Sequence, residues 1–460
     1  MDASSSLYGG RFLPVEPLAS FLEPFEVGRE VRVAGRLMAR RIMGKSAFCD
    51  LKDESSRIQI YAKLDELGEQ NYAEFTSLSL GDILGVEGSL FLSKTGEKSV
   101  KIERFKRLSR IVRTLPEKWH GLKDIETRYR HRYIDLIVND EVRAVFKKRG
   151  RILREIRKFL EERGFMEVET PMMQPIPGGA RARPFMTHHN SLHLDLYLRV
   201  APELYLKRLL VGGFEKIYEV NRNFRNEGIS VRHNPEFTML ELYQAYADYT
   251  DMMSLTEDLI SSLVRSLYGK EEIPYGDKML NFKTPWKRIS FYGALHEKTG
   301  MDFRRANLRD AAKKFHIEVT HETADVDILN EIFGRHVEGD LWNPTFVVDY
   351  PTVMTPLAKA KEGDADLAYR FELFIAKMEI ANAFSELNDA AIQRERLTAQ
   401  KEIIGEHKML DEDFLMALEY GMPPAGGLGI GIDRLVMVLT NQSSIRDVIL
   451  FPQLKPEKEV

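Results

Sequence analysis

The chain has 460 residues, which is too long for one ordinary hydrophobic core and predicts two or three folded units. Its 66 Lys and Arg nearly balance 70 Asp and Glu, a net charge of −4, which excludes nucleic-acid binding through a globally basic surface. One cysteine, Cys49, excludes an internal disulfide, and the start of the chain lacks a signal-peptide pattern, so we expect a cytoplasmic protein. No apolar run reaches membrane-spanning length, so no membrane partner is expected.

A small β unit is predicted after a proline-containing start of about thirty residues. Its strands are followed by turn signals, and a helix is predicted at Leu64–Thr76 between the third and fourth strands. This order is typical of an oligonucleotide-binding barrel. The five strands are predicted at Val31–Leu37, Ala47–Leu51, Arg57–Tyr61, Ile83–Leu92 and Val100–Leu108.

One face of this β unit has the residue types that single-stranded nucleic acid requires. Alternation places Arg57, Gln59 and Tyr61 on a common strand face, and Arg41 and Phe48 lie nearby in sequence. Cations neutralise phosphates and aromatic rings stack on bases. The alternative interpretation is the solvated edge of a small barrel.

A polar segment, residues 113–139, is predicted to link this unit to the next. Asn139 can cap the long amphipathic helix that follows, and Gly164 can end it. A strand is predicted at Phe165–Thr170, before Pro171. This helix and strand suit contact with a symmetry mate, although ordinary core packing explains the apolar stripe equally well.

Two further features precede the most polar stretch of the chain. Pro177, Gly178 and Gly179 open a loop whose backbone can approach a ligand closely, because glycine has no Cβ. A helix is predicted at Glu203–Val211, with Glu203 in its first turn. Glu203 is then either a partner of the helix dipole or a ligand of a bound cation.

The stretch from Arg222 to Tyr243 concentrates Arg, Glu, His and Asn residues. We predict that Arg225 and Glu227 share a strand face and that a turn carries Arg232 and His233. Converging arginines of this kind indicate a polyphosphate clamp, and an exposed hairpin is the alternative. In the strand that follows, Leu240 and Leu242 lie on one side, and the opposite side carries Phe237, Met239, Glu241 and Tyr243.

A carboxylate-rich hairpin is predicted near residue 375. Glu372 and Glu379 could hold Mg²⁺ beside phosphates, because this ion takes one or two carboxylates together with substrate oxygens. Strict alternation places Glu379 on the face opposite Asn382, Phe384 and Glu386. A common pocket therefore requires a bulge or twist near Ala381.

The last predicted feature is a glycine-rich strand. Gly427, Gly429 and Gly431 share a face and leave bare backbone for a ligand, and Arg434 begins the next helix. The spacing fits neither a P-loop nor a dinucleotide fingerprint, and a glycine-rich packing strand is the alternative. No zinc site is expected, because His188, His189 and His193 have no cysteine partners.

Several of these segments resemble the class II aminoacyl-tRNA synthetases. RNFRNEG with RHNPEFTMLELY resembles their motif 2, GLGIGIDR resembles motif 3, and the helix ending in GFMEVETPMM resembles motif 1. PGGARARPF, APELYLKRL, EIANAFSELND and RRIMGKSAF with RIQIY are similar to the lysyl-tRNA synthetase branch in particular. The resemblance covers the chain from about Arg32 to the C-terminus.

The resemblance implies an α+β fold: a five-stranded OB-fold β-barrel that binds the anticodon, then a class II catalytic domain with an antiparallel sheet flanked by helices. The expected domains are 1–112, a linker at 113–139, and 140–460. It also implies a homodimer through motif 1, with ATP, L-lysine and tRNA(Lys) as substrates. Lysine would be activated to lysyl-adenylate and transferred to the 3′ end of the tRNA. A substrate carboxylate is already ionised, so this reaction needs charge neutralisation and alignment.

The resemblance also implies roles for individual residues. Arg225 and Arg434 would be catalytic, on the α- and γ-phosphates, and Glu372 and Glu379 would bind Mg²⁺. Glu203 and Glu241 would meet the α-ammonium of lysine, and Tyr243 with Glu386 the ε-ammonium. The remaining assignments are Glu227, Arg232, His233, Phe237 and Gly431 for ATP; Gly179, Asn382 and Phe384 for lysine; and Arg41, Phe48, Gln59 and Glu97 for the anticodon.

Two departures from the family pattern and three alternatives accompany this interpretation. The first thirty residues carry only Arg11 and Arg29, where the family commonly has a basic helix, and Ala376-Lys377 occupies a turn that often contains glycine.

An aspartyl- or asparaginyl-tRNA synthetase would need a cation where Glu386 and Tyr243 stand. A ligase that attaches a lysine-type amino acid to a protein would lack the barrel. A non-catalytic RNA-binding relative would have lost Arg225, Glu379 or Arg434.

Overall fold

The structure is a computed structural model that describes residues 9–116, 124–320, 323–404 and 410–456, without the side chains of 400–404. Its contacts divide the chain into two compact units, Met1–Lys123 and Asp124–Val460. Each unit has its own buried apolar core. Among the described residues, no helix is both long enough and apolar enough to span a membrane.

The first unit is a closed five-stranded barrel with the strand order β1-β2-β3-β5-β4. Side chains alternate between the interior and the surface of the barrel. On the third strand, for example, Ile58, Ile60 and Ala62 are buried, while Gln59 and Tyr61 face outward. The predicted strands and helix are confirmed, and the first strand is longer than expected. Their bounds are β1 Glu30–Met43, β2 Ser46–Lys52, β3 Arg57–Lys63, α1 Leu64–Ser77, β4 Ile83–Leu92 and β5 Lys98–Ser109.

The second unit is built on a mixed sheet whose order is β14-β15-β18-β19-β20-β11-β10-β6. Only the outer pairs, β14 with β15 and β10 with β6, are parallel within the described part of the chain. The strands are β6 Met166–Glu167, β7 Met173–Gln174, β8 Phe185–His189, β9 Leu194–Leu198, β10 Lys216–Phe224, β11 Glu236–Ala245, β12 Glu272–Tyr275, β13 Lys278–Asn281, β14 Lys287–Ser290, β15 Thr345–Val348, β16 Ala360–Lys361, β17 Asp364–Ala368, β18 Arg370–Ile375, β19 Met378–Ser385 and β20 Ala425–Gly431.

Helices cover one face of this sheet with apolar side chains. Ile152 and Ile156, Leu259 and Ile260, and Leu435 come from three helices that share one buried cluster with the sheet. The helices are α2 Ile125–Arg130, α3 Arg132–Val138, α4 Asp140–Glu161, α5 Glu203–Val211, α6 Tyr249–Tyr268, α7 Phe291–Thr299, α8 Leu308–Lys314, α9 Asp325–His336, α10 Ala390–Ile404, α11 Glu412–Glu419, α12 Ile432–Thr440 and α13 Ile445–Val448.

The predicted linker, residues 113–139, contains α2 and α3, and the second compact unit begins at Asp124. Two local expectations were wrong. Asn139 stands at the N-cap of α4, but its side chain donates to Asp135 Oδ1 at 2.6 Å instead of capping the helix. The strand expected at Phe165–Thr170 shortens to two residues, because only this part pairs with β10.

The turn between β18 and β19 contains no glycine, although both of its residues are left-handed. Ala376 has φ 51° and Lys377 has φ 64°, the backbone of a two-residue hairpin turn. Their amides donate to the carbonyls of Trp342 and Leu341, each at 2.8 Å. These two bonds hold the turn that connects the strands carrying Glu372 and Glu379.

Candidate active site

A single cavity of about 1320 Å³ lies over the central strands β11, β19 and β20. All the residues predicted for ATP and lysine line it, although they come from segments as distant as Gly179 and Arg434. Of the two residues predicted for Mg²⁺, Glu379 lines the cavity and Glu372 does not. The lining residues among those predicted are Gly179, Glu203, Arg225, Glu227, Arg232, His233, Phe237, Glu241, Tyr243, Glu379, Asn382, Phe384, Glu386, Gly431 and Arg434.

One part of the cavity is cationic. Arg225 and Glu227 lie in the loop after β10, which ends at Phe224, so the expectation of a shared strand face was wrong. The loop still brings both residues to the cavity. Arg225 Nε is buried and has no hydrogen-bond partner among the described residues, and the guanidinium lies 5.1 Å from the Phe237 ring centroid. An unpaired buried donor of this kind is suited to an anionic ligand.

Arg434 and His233 form a linked pair at the same end. Arg434 donates to His233 Nε2 at 3.1 Å and to the Glu379 carbonyl at 2.9 Å. Since a guanidinium can only donate, His233 Nε2 accepts and Nδ1 carries the proton toward Ser230 Oγ at 2.9 Å. Desolvation, with Arg434 next in importance, lowers the pKa of His233. A neutral His233 therefore adds no positive charge to the arginines around it.

The other part of the cavity is acidic and buried. Glu203, Glu241 and Glu386 are 6%, 6% and 1% exposed, respectively. Gly179, in the left-handed region at φ +85°, lies against Glu203, where a Cβ would come 3.6 Å from Oε2. Glu241 Oε1 accepts from Asn223 Nδ2 at 3.3 Å. Three buried carboxylates at one end indicate a cationic ligand, since buried charges require partners.

Burial perturbs the protonation of this acidic end. Desolvation, followed by repulsion from Glu203, raises the pKa of Glu241 to about 8. Desolvation also raises the pKa of Glu386 above its usual range, with the Lys207 ammonium opposing. A cation arriving between these carboxylates would favour their ionised forms.

The bulge that the strand pattern required is present. On β19, Ala381 pairs with Leu373 and Glu379 pairs with Phe374, so Ile380 is the additional residue. The bulge places Glu379 on the cavity wall together with Asn382, although they are three positions apart on the strand. The prediction of an irregularity near Ala381 is confirmed.

A divalent cation would bind where the carboxylates of the hairpin lie close to the cationic end. Glu372 accepts from Tyr350 at 2.7 Å and pairs with Arg370, and Glu379 Oε2 lies 3.3 Å from Arg434. Desolvation, with Arg370 opposing and Glu379 adding to it, raises the pKa of Glu372 to about 7. A divalent cation would relieve this repulsion, so the donor chemistry fits. No group of three or more potential ligand side chains occurs among the described residues.

Two residues that contact the cavity wall were not predicted. Arg370 donates to Asn382 Oδ1 at 2.8 Å and so orients that amide. The sequence could have indicated Arg370, because side chains alternate along a strand and Arg370 therefore shares one face of β18 with Glu372. Lys207 lies behind the acidic end, and its signal was the i, i+4 spacing from Glu203 on α5.

In the first unit, the predicted nucleic-acid face contains a row of aromatic rings. The Phe48 and Tyr61 centroids are 4.8 Å apart, and Phe91 continues the row 5.6 Å from Tyr61. Gln59 accepts from Ser99 Oγ at 2.9 Å, which leaves its NH₂ group to donate. Arg41 pairs with Phe48 across β1 and β2, and Glu97 is exposed in the β4–β5 connection. Phe91 was not predicted.

Comparison with known proteins agrees with both units. The sequence profile described as tRNA synthetases class II (D, K and N) matches residues 124–455, and that of an OB-fold nucleic acid binding domain matches residues 31–108. The lysine-tRNA ligase of Carboxydothermus hydrogenoformans is 55% identical, covering 98% of this chain and 94% of its own. That of Pelotomaculum thermopropionicum is 55% identical over 99% and 93%, and that of Moorella thermoacetica 52% over 100% and 96%.

Proposed function

Because the chain belongs to the class II tRNA synthetases of the D, K and N group, we propose that it activates L-lysine with ATP and transfers it to tRNA(Lys). The observation that carries the choice of amino acid is the buried acidic end of the cavity, Glu203, Glu241 and Glu386. Lysine has two ammonium groups, which match carboxylates. The side chain of aspartate would bring a further negative charge to Glu386, and that of asparagine brings no cation.

The first step joins the lysine carboxylate to the α-phosphorus of ATP. A carboxylate oxygen forms the new bond, the α–β phosphoanhydride bond breaks, and pyrophosphate leaves with its electron pair. Arg225, whose charge also acts on Glu241, would neutralise the α-phosphate and the lysine carboxylate. Arg434, Arg232 and His233 would hold the β- and γ-phosphates, with Gly431 beneath. No protein base is needed, since the carboxylate is ionised near neutral pH.

The remaining contacts with ATP and lysine follow from the cavity wall. Adenine would stack between Phe237 and Arg434, with Glu227 at its edge. The lysine α-ammonium would lie between Gly179, Glu203 and Glu241, its carboxylate near Asn382, and its aliphatic chain along Phe384. Tyr243 and Glu386 would bind the ε-ammonium. In the second step, a hydroxyl oxygen of the terminal ribose of tRNA bonds to the lysyl carbonyl carbon, and the bond from that carbon to the phosphate oxygen breaks. AMP leaves with the electron pair, and the hydroxyl proton passes to AMP or to solvent.

Mg²⁺ is part of this proposal. When bound beside Glu372 and Glu379, it would supply positive charge to the phosphates. Arg370 holds Glu372 in the free protein and would share that carboxylate with the ion. The choice of Mg²⁺ is supported by carboxylate donors alone, because this ion prefers oxygen ligands.

The barrel would bind the anticodon of tRNA(Lys). Phe48, Tyr61 and Phe91 provide stacking surfaces, Gln59 a hydrogen-bond donor, and Arg41 a positive charge, with Glu97 at the rim. The domains would be an anticodon-binding unit to 112, a linker to 139 and a catalytic unit from 140, in a cytoplasmic protein.

A homodimer through α4 and β6 also belongs to the proposal. The segments just after α4 expose large apolar side chains, which single soluble units normally avoid in groups. Met166, Met172, Met173 and Met186 are 44%, 46%, 55% and 66% exposed, respectively. Light scattering on the purified chain would give twice the mass of 53.0 kDa if the dimer forms.

Amino-acid-dependent ATP–pyrophosphate exchange tests the function directly. We expect lysine, among the twenty amino acids and without tRNA, to support exchange. A response to aspartate or asparagine instead, or to none, would reject the assignment. Charging of tRNA(Lys) with labelled lysine then tests the second step.

A further inference from the structure

A fully buried lysine of the chain itself lies behind the acidic end of the cavity. Lys207 has no exposed surface, and its Nζ lies 2.8 Å from Glu203 Oε1 and 2.5 Å from Glu386 Oε2. Glu203 and Glu386 line the cavity, whereas Lys207 does not. One ammonium therefore joins, from behind, two acids that project into the cavity from different parts of the chain.

The fold places this ammonium with little freedom. Glu203 and Lys207 are four residues apart on α5, so both side chains lie on one face of the helix. Glu386 follows β19, and its backbone N–H donates to the Ala425 carbonyl at 2.8 Å. The Phe384 ring, with its centroid 5.4 Å from Lys207 Nζ, closes another side. Burial of a lysine is costly unless its charge is paired, and here two carboxylates pair it.

Lys207 lowers the negative charge of the pocket to a value that matches the two ammonium groups of lysine. When a bound cation has ionised all three carboxylates, those of Glu203, Glu241 and Glu386, the Lys207 ammonium leaves the pocket with two negative charges. Lysine carries two ammonium groups, and its carboxylate can be balanced separately by Arg225. Without Lys207 the pocket would hold three negative charges against two positive ones.

We propose that Lys207 is a positioning and specificity residue: its ammonium orients Glu203 and Glu386 from behind and reduces the pocket charge to match a diammonium substrate. This inference rests on the proposed function. Lys207 does not touch the substrate, and it acts through the two carboxylates that do. Glu386 Oε2 forms an ion pair with Lys207, whereas Oε1 is buried and has neither an ion pair nor a hydrogen-bond partner among the described residues.

Removal of Lys207 would change the titration of Glu386, which a purely structural role would not require. The charged and titratable groups facing Glu386 are Lys207 and Glu203 from α5, and Glu241 and Tyr243 from β11. Among these groups only Lys207 is positive, so its removal would raise the pKa of Glu386 further. A protonated Glu386 could hydrogen-bond a neutral hydroxyl as well as an ammonium, and selectivity for charge would fall.

The test uses Lys207→Met and Lys207→Gln in the full chain. Exchange is measured from pH 6.5 to 9 with lysine and with 6-hydroxynorleucine, which has a hydroxyl in place of the ε-ammonium. We expect KM for lysine at pH 7 to rise about tenfold to a hundredfold while KM for ATP changes less than about twofold. The rise of kcat/KM with pH should move to higher pH, and the preference for lysine over the hydroxyl analogue should shrink.

Two further variants complete the experiment. Lys207→Arg keeps the positive charge and should return the pH profile toward that of the parent. Lys298→Met removes a partly exposed lysine that pairs with Asp340 at 2.7 Å, and should change none of these quantities. Lys207→Gln keeps a hydrogen-bond donor without charge, so it still decides the question if the Met variant does not fold.

The outcomes separate this inference from the proposed function. The parent protein's response to lysine decides the function. If the parent responds and the Lys207 variants raise both KM values together, with an unmoved pH profile and unchanged selectivity, Lys207 is a structural anchor and the inference is wrong. An alkaline shift with reduced selectivity, absent in Lys298→Met, supports it.

Discussion

Glu386 Oε1 lies directly over the backbone of Gly427, where a Cβ would come within 1.9 Å of it. The same Cβ would lie 2.7 Å from Tyr243 Cε1. Glu386 and Tyr243 therefore occupy space that only glycine leaves open on β20. The bare backbone admits a carboxylate and a phenol, and these are the two groups proposed to bind the end of the lysine side chain.

Gly427→Ala is expected to abolish or strongly reduce lysine activation, because its methyl group would displace Glu386. A shift of about 1 Å in a positioning group can cost about a hundredfold in rate. KM for lysine and kcat in ATP–pyrophosphate exchange are the measurements. Gly431→Ala on the same strand is the matched control for KM of lysine, since its Cβ would have no neighbour closer than 3.7 Å. Equal effects of both variants on KM for lysine would contradict the steric explanation.

Glu386→Gln should weaken lysine binding far more than ATP binding. Of the two substrates, only the amino acid meets the charge that this substitution removes. The substitution also leaves Lys207 with one carboxylate partner, and such losses cost about 2–5 kcal/mol. KM for lysine is expected to rise on the order of a hundredfold or more, with KM for ATP nearly constant. Glu412→Gln, which affects a surface pair with Arg394, serves as the control. Parallel losses for both substrates would remove Glu386 from the side-chain pocket.

Lysine binding is expected to release protons near pH 7. Glu241 has a pKa of about 8 in the free protein, so it is mostly protonated at pH 7 and would ionise on meeting an ammonium. Calorimetry in two buffers of different ionisation enthalpy measures the protons released, and lysine affinity should increase from pH 6.5 to 8.5. Proton release equal to zero in the parent would contradict the proposed position of Glu241.

The same carboxylate should make the free protein less stable as pH rises. A carboxyl group whose pKa is higher in the folded than in the unfolded state contributes its full stabilisation below the unfolded pKa. It loses that contribution as pH rises through the folded value, here from about 4.5 to about 8. Comparing the pH dependence of Tm between the parent and Glu241→Gln isolates this group. The variant should show the shallower decline, and identical slopes would count against the raised pKa.

Phe48→Ala should leave ATP–pyrophosphate exchange unchanged and impair charging of tRNA(Lys). Stacking of a base on an aromatic ring contributes about 1–3 kcal/mol, so KM for tRNA should rise about fivefold to 150-fold. Tyr61→Phe is the control, since it keeps the ring and removes only the hydroxyl that lies 3.1 Å from Ser46 Oγ. Unchanged charging by Phe48→Ala would deny the barrel a role in anticodon binding.

Periodicity in the sequence determined much of the architecture. The barrel strands, α5 at Glu203–Val211 and the glycine face of β20 follow from residue spacing alone, because alternation and helical repeats report which side is buried. The same reasoning required an irregularity near Ala381, and the bulge at Ile380 supplies it. A local pattern suffices where neighbouring residues decide the outcome.

Tertiary structure decided what the residues near the cavity contact. Arg225 and Glu227 were expected on a strand face and lie in a loop, because β10 ends at Phe224 and loop backbone follows no period. Lys207 resembles any surface lysine of a helix in sequence, and only the packing of α5 against the end of β19 reveals its second carboxylate, Glu386. Long-range pairings of this kind depend on chain topology, which residue spacing does not record. The sequence thus determined which chemical groups are available, and the fold determined that a buried ammonium joins two of the acids proposed to recognise lysine.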